Sequence, residues 1–244
     1  MGAAVCIVSG GMDSVCYAAA LARRYDIYMI TFAYGQRARR EIGRARYFSK
    51  ILNARDHKLV DIGFMKDLYG SSNALTDSGQ KLPAEFEQSL VVPIRNAVFI
   101  TIASAWAMSI GARVVAYGAH AGDLTSYADC RPEFARALAG ALNLAEADTI
   151  SSGFRKRIQI VSPAIEKLDK AALIRAGHEI LGDRIFRTWS CYSDGVRSGT
   201  GRSQYLHCGR CESCINRKAA LFSAQIEDKT GYAASGAGRK RSKA

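Results

Sequence analysis

Val5-Cys6-Ile7-Val8-Ser9-Gly10-Gly11-Met12-Asp13-Ser14-Val15-Cys16 runs from four apolar residues through a serine–glycine turn into a second apolar segment. Residues 3–8 have the length and composition of a buried strand. Residues 14–24 read as a helix, with Ser14 or Asp13 available to cap its start. A strand, a glycine turn and a helix N-terminus together make an anion site, because backbone N–H groups and the helix dipole both favour negative charge. Gly10 and Gly11 would let the backbone approach phosphate oxygens, and Ser9 and Ser14 would add hydroxyl donors. The stretch lacks the lysine of G-x-x-x-x-G-K-[ST] and does not fit G-x-G-x-x-G. The plain alternative is an ordinary strand-to-helix turn that carries two glycines.

Outward from this turn, strands and helices alternate. Residues 26–33, 57–62, 113–118 and 157–161 read as strands, and 36–53, 96–110, 132–146 and 169–181 as helices. This alternation predicts an α/β fold, an open and mainly parallel sheet with helices on both faces. Residues 70–90 lack periodicity and read as a long mobile loop. No internal repeat is visible. Over the last sixty residues Cys, Gly, Arg and Trp rise and the sheet strands stop. We expect three parts: a nucleotide-binding domain over 1–185, a small metal module over 186–228 packed on it rather than independent, and a disordered basic tail over 229–244.

The 244 residues are 48% apolar, enough for one sizeable core. We see no apolar run near the ~20 residues that span a bilayer and no signal pattern, so the expectation is a soluble, cytoplasmic protein with no membrane contact. The net charge is +12. Much of it is local. Arg37, Arg39, Arg40, Arg44, Arg46 and Lys50 stand against Glu41 alone, and Arg239, Lys240, Arg241 and Lys243 form the tail. Both regions could face nucleotide phosphates or RNA, or simply be solvated.

Four of the seven cysteines, Cys191, Cys208, Cys211 and Cys214, lie within the pattern C-x16-C-x2-C-x2-C. Overlapping C-x2-C steps aim thiolates at one ion, and the distant cysteine closes a tetrahedron. Four thiolates leave zinc no open position, so a structural Zn²⁺ is expected. An iron–sulfur cluster and a redox or persulfide-carrying pair are the alternatives. His207 adjoins Cys208 and could replace one ligand, but reads better as a residue beside the ligands or at the surface. Cys6 and Cys16 read as core.

The pattern Ser9-Gly10-Gly11-Met12-Asp13-Ser14 resembles the pyrophosphate-binding loop of the N-type ATP pyrophosphatases, the PP-loop superfamily. Further segments narrow the resemblance: Tyr34-Gly35-Gln36-Arg37, Val92-Pro93-Ile94-Arg95-Asn96, Tyr127-Ala128-Asp129-Cys130-Arg131-Pro132, Trp189-Ser190-Cys191-Tyr192, and His207-Cys208-Gly209-x-Cys211-x-x-Cys214-x-x-Arg217. In this order, from about residue 4 to 225, they resemble the 7-cyano-7-deazaguanine synthase family of the queuosine and archaeosine pathways. Three departures stand out. Ala128 replaces a usual proline, Ile94 stands where Gly or Asn is common, and the run Pro163–Lys170 is one residue longer.

The resemblance implies an adenine nucleotide alpha hydrolase-like (Rossmann-like) fold and a carbon–nitrogen ligase. Its substrates would be ATP with Mg²⁺, ammonia and 7-carboxy-7-deazaguanine. ATP would adenylate the carboxylate, ammonia would displace AMP to give an amide, and a second adenylation would lead to the nitrile, with AMP and pyrophosphate released. Residues 9–14 would bind ATP, with Asp13 a contact for Mg²⁺. Arg95 and Lys170 would stabilise phosphate or carboxylate charge, unless they are a surface arginine and a solvated lysine. Tyr127, Asp129 and Arg131 would read the deazaguanine, unless they form a structural turn and salt bridge. Cys130 would be a bystander. The family also suggests a homodimer. Two other classes stay open: a related enzyme that adenylates another carboxylate or modifies RNA or protein, and a zinc-bearing nucleic-acid binder without catalysis.

Overall fold

The computed structural model describes residues 1–198 and 204–234. Strands β1 (Gly2–Ile7), β2 (Tyr25–Ala33), β3 (Asp56–Asp61), β4 (Val114–Ala116) and β5 (Gln159–Val161) form one sheet in the order β3-β2-β1-β4-β5. Every neighbouring pair is parallel. Eight α-helices lie among the described residues: α1 (Met12–Leu21), α2 (Arg40–Ile51), α3 (Met65–Tyr69), α4 (Arg95–Ser109), α5 (Pro132–Ala145), α6 (Ala147–Ser151), α7 (Lys170–Leu181) and α8 (Glu212–Ser223).

Alternate residues of the strands feed two cores. Ala4, Cys6 and Val8 of the first strand segment pack with Ile27, Met29 and the apolar sides of α1 and α7. Val5 packs with Ile30, Phe32, Val115 and α4 on the opposite face. Both faces are covered, so these strands read as continuous apolar runs rather than as alternating ones. On one face α1 and α7 approach so closely that a Cβ at Gly177 would meet Cys16 Sγ at 2.3 Å. The chain leaves β1 for β2 and β3 on one side, then crosses to β4 and β5 on the other. The strand order therefore reverses between β1 and β4, which opens a crevice at the carboxyl ends of those strands.

Several expectations need correction. Helix α1 starts at Met12 with Gly11 as its cap residue, so Asp13 and Ser14 lie inside the first turn. Strands do not stop in the last sixty residues: β6 (Val196–Ser198) and β7 (Gln204–Leu206) form an antiparallel pair. Residues 70–90 are not a free loop. The Arg37 guanidinium donates to the carbonyls of Ala74, Asp77 and Gln80 at 3.1, 3.1 and 2.7 Å. Arg37 is thus an internal clamp, and Arg40 lies over the Tyr205 ring; Arg39, Arg46 and Lys50 remain exposed. The stretch Gln88–Ser109 is, by length and composition alone, long and apolar enough to cross a membrane. Here it is a short 3-10 turn, a bend at Ile94 and α4, whose Ile100, Ala103 and Ala107 are buried in the second core.

Residues 229–234, expected in the tail, belong to the fold. Thr230 is buried and accepts a hydrogen bond from Arg217, and Tyr232 lies against the His207 ring. Residues 235–244, with the basic cluster, lie outside the described residues. The C-terminal segment packs on the rest of the chain, because α8 lends Ala220, Leu221 and Ala224 to the first core.

Candidate active site

The crevice is a cavity of about 740 Å³, walled by the β1–α1 turn, the start of α7, the β4 end, α4 and the first turns of α8. Its floor is the serine–glycine turn. Ser9 N–H donates to Ser14 Oγ at 3.3 Å, Gly11 N–H to Ser9 Oγ at 3.1 Å, and Ser14 Oγ to the Gly11 carbonyl at 3.1 Å. The two hydroxyls stand 3.2 Å apart. The glycines have different duties. Gly10 has φ +98°, and a Cβ there would lie 2.1 Å from the Glu41 carbonyl oxygen, so it serves packing against α2. Gly11 lines the cavity with an ordinary φ of −71°. Met12 lines the cavity too, yet the residue is buried in the first core. Gly118, at the end of β4, admits the turn: a Cβ there would lie 2.8 Å from Ser14 Cα.

Asp13 and Lys170 meet across the cavity floor, Oδ2 to Nζ at 3.1 Å. Burial alone would raise the Asp13 pKa, but Lys170 and His120 outweigh it and hold the carboxyl below its ordinary value. Burial likewise works against the Lys170 cation, and the charges of Asp13 and Asp123 raise its pKa regardless. Asp13 Oδ1 is buried and has no hydrogen-bond partner. An anionic oxygen left bare in a cavity suits a hard divalent cation, so the residues present fit Mg²⁺. His120 and Asp123 close on each other as a capping box at residues 120–123 and are thereby occupied.

Arg95, the first residue of α4, donates to Tyr34 Oη at 3.3 Å and lies over that ring. Burial disfavours its charge, but Tyr34 and Asp129 hold its pKa above the ordinary value. The bend that delivers it puts Ile94 at φ +47°, in the left-handed region, with its side chain exposed. Tyr127 lines the cavity; Asp129 and Arg131 do not. Asp129 Oδ2 accepts the Asn96 N–H at 3.2 Å, and Arg131 Nε donates to the Leu124 carbonyl at 3.0 Å. Two of the three residues expected to read a ring are thus loop-holding residues. Cys130 lines the cavity, and burial pushes its thiol up, away from the nucleophilic thiolate.

Glu41 and Glu212 were not singled out for a role by the sequence. Glu41 Oε1 accepts from Gln36, whose amide is fixed by bonds to the Tyr34 N–H and the Phe32 carbonyl. Glu212 Oε2 accepts from Tyr192 Oη at 2.7 Å, and both residues line the cavity. Glu212 lies inside the C-x2-C run, where the metal spacing absorbs all attention.

The four sulfurs of Cys191, Cys208, Cys211 and Cys214 lie within 4.8 Å of one another, with 3.9 Å between Cys208 and Cys214. A tetrahedral ion with sulfur at ~2.3 Å needs sulfurs about 3.8 Å apart, so the set fits a metal ion. His207 is not a ligand: its Nε2 accepts the Ser190 N–H at 3.1 Å and its ring stacks on Trp189. Beside it the buried Arg217 donates to Thr188, Ser190 and Thr230. These bonds fix the segment 188–191, and Trp189 N–H in turn donates to the Gly10 carbonyl at 2.9 Å. The cysteine module and the serine–glycine turn are therefore joined directly.

Comparison with known proteins adds a family to this geometry. The 7-cyano-7-deazaguanine synthase of Aromatoleum aromaticum is 38% identical over 234 residues, covering 94% of this chain and 97% of that one. That of Legionella pneumophila strain Philadelphia 1 is 37% identical over 235 residues, covering 94% and 96%. That of Caldicellulosiruptor bescii is 34% identical with the same coverage. The family described as queuosine biosynthesis protein QueC matches residues 3–225. A match that spans the serine–glycine turn, the Arg95 bend and all four cysteines leaves one conclusion: this chain belongs to the QueC family.

Proposed function

We propose that this chain is an ATP-dependent carbon–nitrogen ligase that converts 7-carboxy-7-deazaguanine and ammonia to 7-cyano-7-deazaguanine, releasing AMP and pyrophosphate. The observation that carries the reading is one cavity, in a chain of this family, with an anion-binding turn and the Asp13–Lys170 pair at its floor and a buried arginine in its wall. A carboxylate is a poor electrophile, and AMP supplies the leaving group it lacks. The substrate carboxylate oxygen attacks the α-phosphorus, and the bond to the β-phosphate breaks with its electrons going to pyrophosphate. The N–H groups at the start of α1 and the Lys170 ammonium stabilise that charge where it develops. Bound Mg²⁺ would neutralise phosphate charge, held by Asp13 through its bare Oδ1.

Arg95 orients the carboxylate toward phosphorus, and Tyr34 and Asp129 keep its guanidinium in place. Ammonia then attacks the acyl carbon, and AMP leaves with the C–O electron pair. The resulting amide oxygen attacks a second ATP in the same way. Loss of the N–H protons and of AMP yields the C≡N bond. Tyr127 and the Cys130 thiol contribute surface to this end of the cavity. The four thiolates would hold Zn²⁺ in a closed structural site.

Purified protein incubated with Mg-ATP, ammonium and 7-carboxy-7-deazaguanine should give the amide and then the nitrile by mass spectrometry, with AMP and pyrophosphate. A Ser14→Ala variant, which removes the hydroxyl linking both sides of the turn, should turn over at least tenfold more slowly. AMP formation that requires a different carboxylate, with none from this one, overturns the substrate.

A further inference from the structure

Five acidic residues line the cavity: Asp13, Glu41, Asp123, Glu212 and Asp169, which caps α7 by accepting the Ala172 N–H at 2.7 Å. The ligands proposed for it are themselves anions, so each carboxylate there needs a reason. Asp13 has Lys170 as counter-ion. Asp123 is closed onto His120. Glu41 sits on Gln36 behind the nucleotide turn. Glu212 stands on a different wall, at the first turn of α8, hydrogen-bonded to an aromatic hydroxyl, with Lys170 within reach of its charge.

Its surroundings hold it in one orientation. Tyr192 Oη donates to Oε2 at 2.7 Å and Asn216 Nδ2 donates to Oε1. The backbone N–H of Glu212 donates to the Pro83 carbonyl at 2.9 Å, which ties this turn of α8 to the Arg37-clamped loop. On the same wall Tyr127 stands edge-to-face with Phe86. A carboxylate has about four lone-pair sites, and these partners use one on each oxygen. A fixed carboxylate with two free lone pairs beside aromatic rings complements a flat heterocycle that presents two adjacent N–H donors. The six-membered ring of a 7-deazaguanine has such an edge, formed by its lactam N–H and exocyclic amine. That edge lies across the bicycle from the carboxylate proposed to meet Arg95. Asp129, expected in this role, accepts the Asn96 N–H and does not line the cavity.

We propose that Glu212 is the specificity-determining residue that accepts the lactam N–H and the amino group of the substrate ring. The metal-bearing segment is then a reading element, since the cysteine pair on either side of Glu212 fixes the turn that presents it. This rests on the substrate class proposed above, and the experiment separates the two. Wild type is first assayed on 7-carboxy-7-deazaguanine; no turnover counts against the substrate class and also overturns this assignment. Given turnover, kcat/KM is compared for that substrate and for the analogue lacking the 2-amino group, in wild type and in Glu212→Gln. Metal content and the KM for ATP report on the fold.

Wild type should prefer the amino-bearing ring by about 10²-fold, because the analogue leaves a carboxylate lone pair unmatched. In Glu212→Gln the preference should shrink to within a few-fold, with metal content and the KM for ATP unchanged. A variant that loses activity equally on both compounds, keeping the wild-type preference, overturns the assignment and makes Glu212 a brace for Tyr192. Should Glu212→Gln not fold, Glu212→Asp carries the same test: its shorter carboxylate should lower the preference about tenfold, and an unchanged preference overturns the proposal.

Discussion

Glu41 offers a test of the electrostatics in which the sign and the size both follow from the structure. Burial raises its carboxyl pKa from the ordinary 4.5 to about 7; the hydrogen bond from Gln36 and the charge of Arg95 oppose the rise, and Asp194 adds to it. In the unfolded chain the same group loses its proton near 4.5. Between these two values the folded state binds more protons than the unfolded one, so stability falls as pH rises. Nothing is lost below 4.5, and the full cost is present above 7. A difference of about 2.5 pH units corresponds to roughly 3 kcal/mol. Replacing Glu41 by Gln keeps the shape and the bond from Gln36 but removes the proton.

Glu41→Gln should therefore match wild type in urea unfolding at about pH 4 and exceed it by up to ~3 kcal/mol at about pH 8. Taking the difference between the two proteins cancels the titrating groups that do not interact with Glu41. A difference that stays constant from acid to alkaline pH, or a variant less stable than wild type at the alkaline end, would refute the reasoning.

The remaining expectations concern the backbone and the clamp. Gly10→Ala should destabilise by about 3 kcal/mol or more, since it combines a left-handed φ with a Cβ driven into the Glu41 carbonyl; Gly11→Ala, at an extended φ, should fold normally and instead weaken nucleotide binding in calorimetry. Ile94→Gly should raise the melting temperature by about 2–4 °C, because it relieves about 1 kcal/mol of strain and gives up little burial. Arg37→Ala removes a charged donor from three carbonyls, at a cost of about 1.5–3 kcal/mol, and limited proteolysis should then cut within residues 70–90, where wild type resists.

Much of this was legible because it is local. The apolar run 3–8 could be read as a buried strand, the turn at 9–14 as the link from that strand to a helix N-terminus, and the spacing of the four cysteines needed no fold. What failed was whatever depends on neighbours distant in sequence. Gly10 and Gly11 look alike in a motif, yet only one of them faces α2. Asp129 and Arg131 have the chemistry to read a ring, but their partners, Asn96 and Leu124, turn them to the loop. Arg37 looks like part of a basic helix face until the loop carbonyls it binds are known. Glu212 shares its turn with two cysteines, and a sequence scan assigns the whole run to the metal. The bend at Ile94 shows in the sequence only as an isoleucine where the family commonly has Gly or Asn, the residues that favour the left-handed region.

The bond from Trp189 to the Gly10 carbonyl has a consequence in time. Chains are made from the N-terminus at roughly 5–20 residues per second. The nucleotide turn emerges first, whereas the segment that braces it, the cysteines and Glu212 emerge about 180–200 residues later, some tens of seconds at the slow end. Until then the growing chain has the serine–glycine turn without its far wall. A half-made protein is thus unable to activate a carboxylate and spill the adenylate into water. Catalytic competence arrives only with the last elements of the fold.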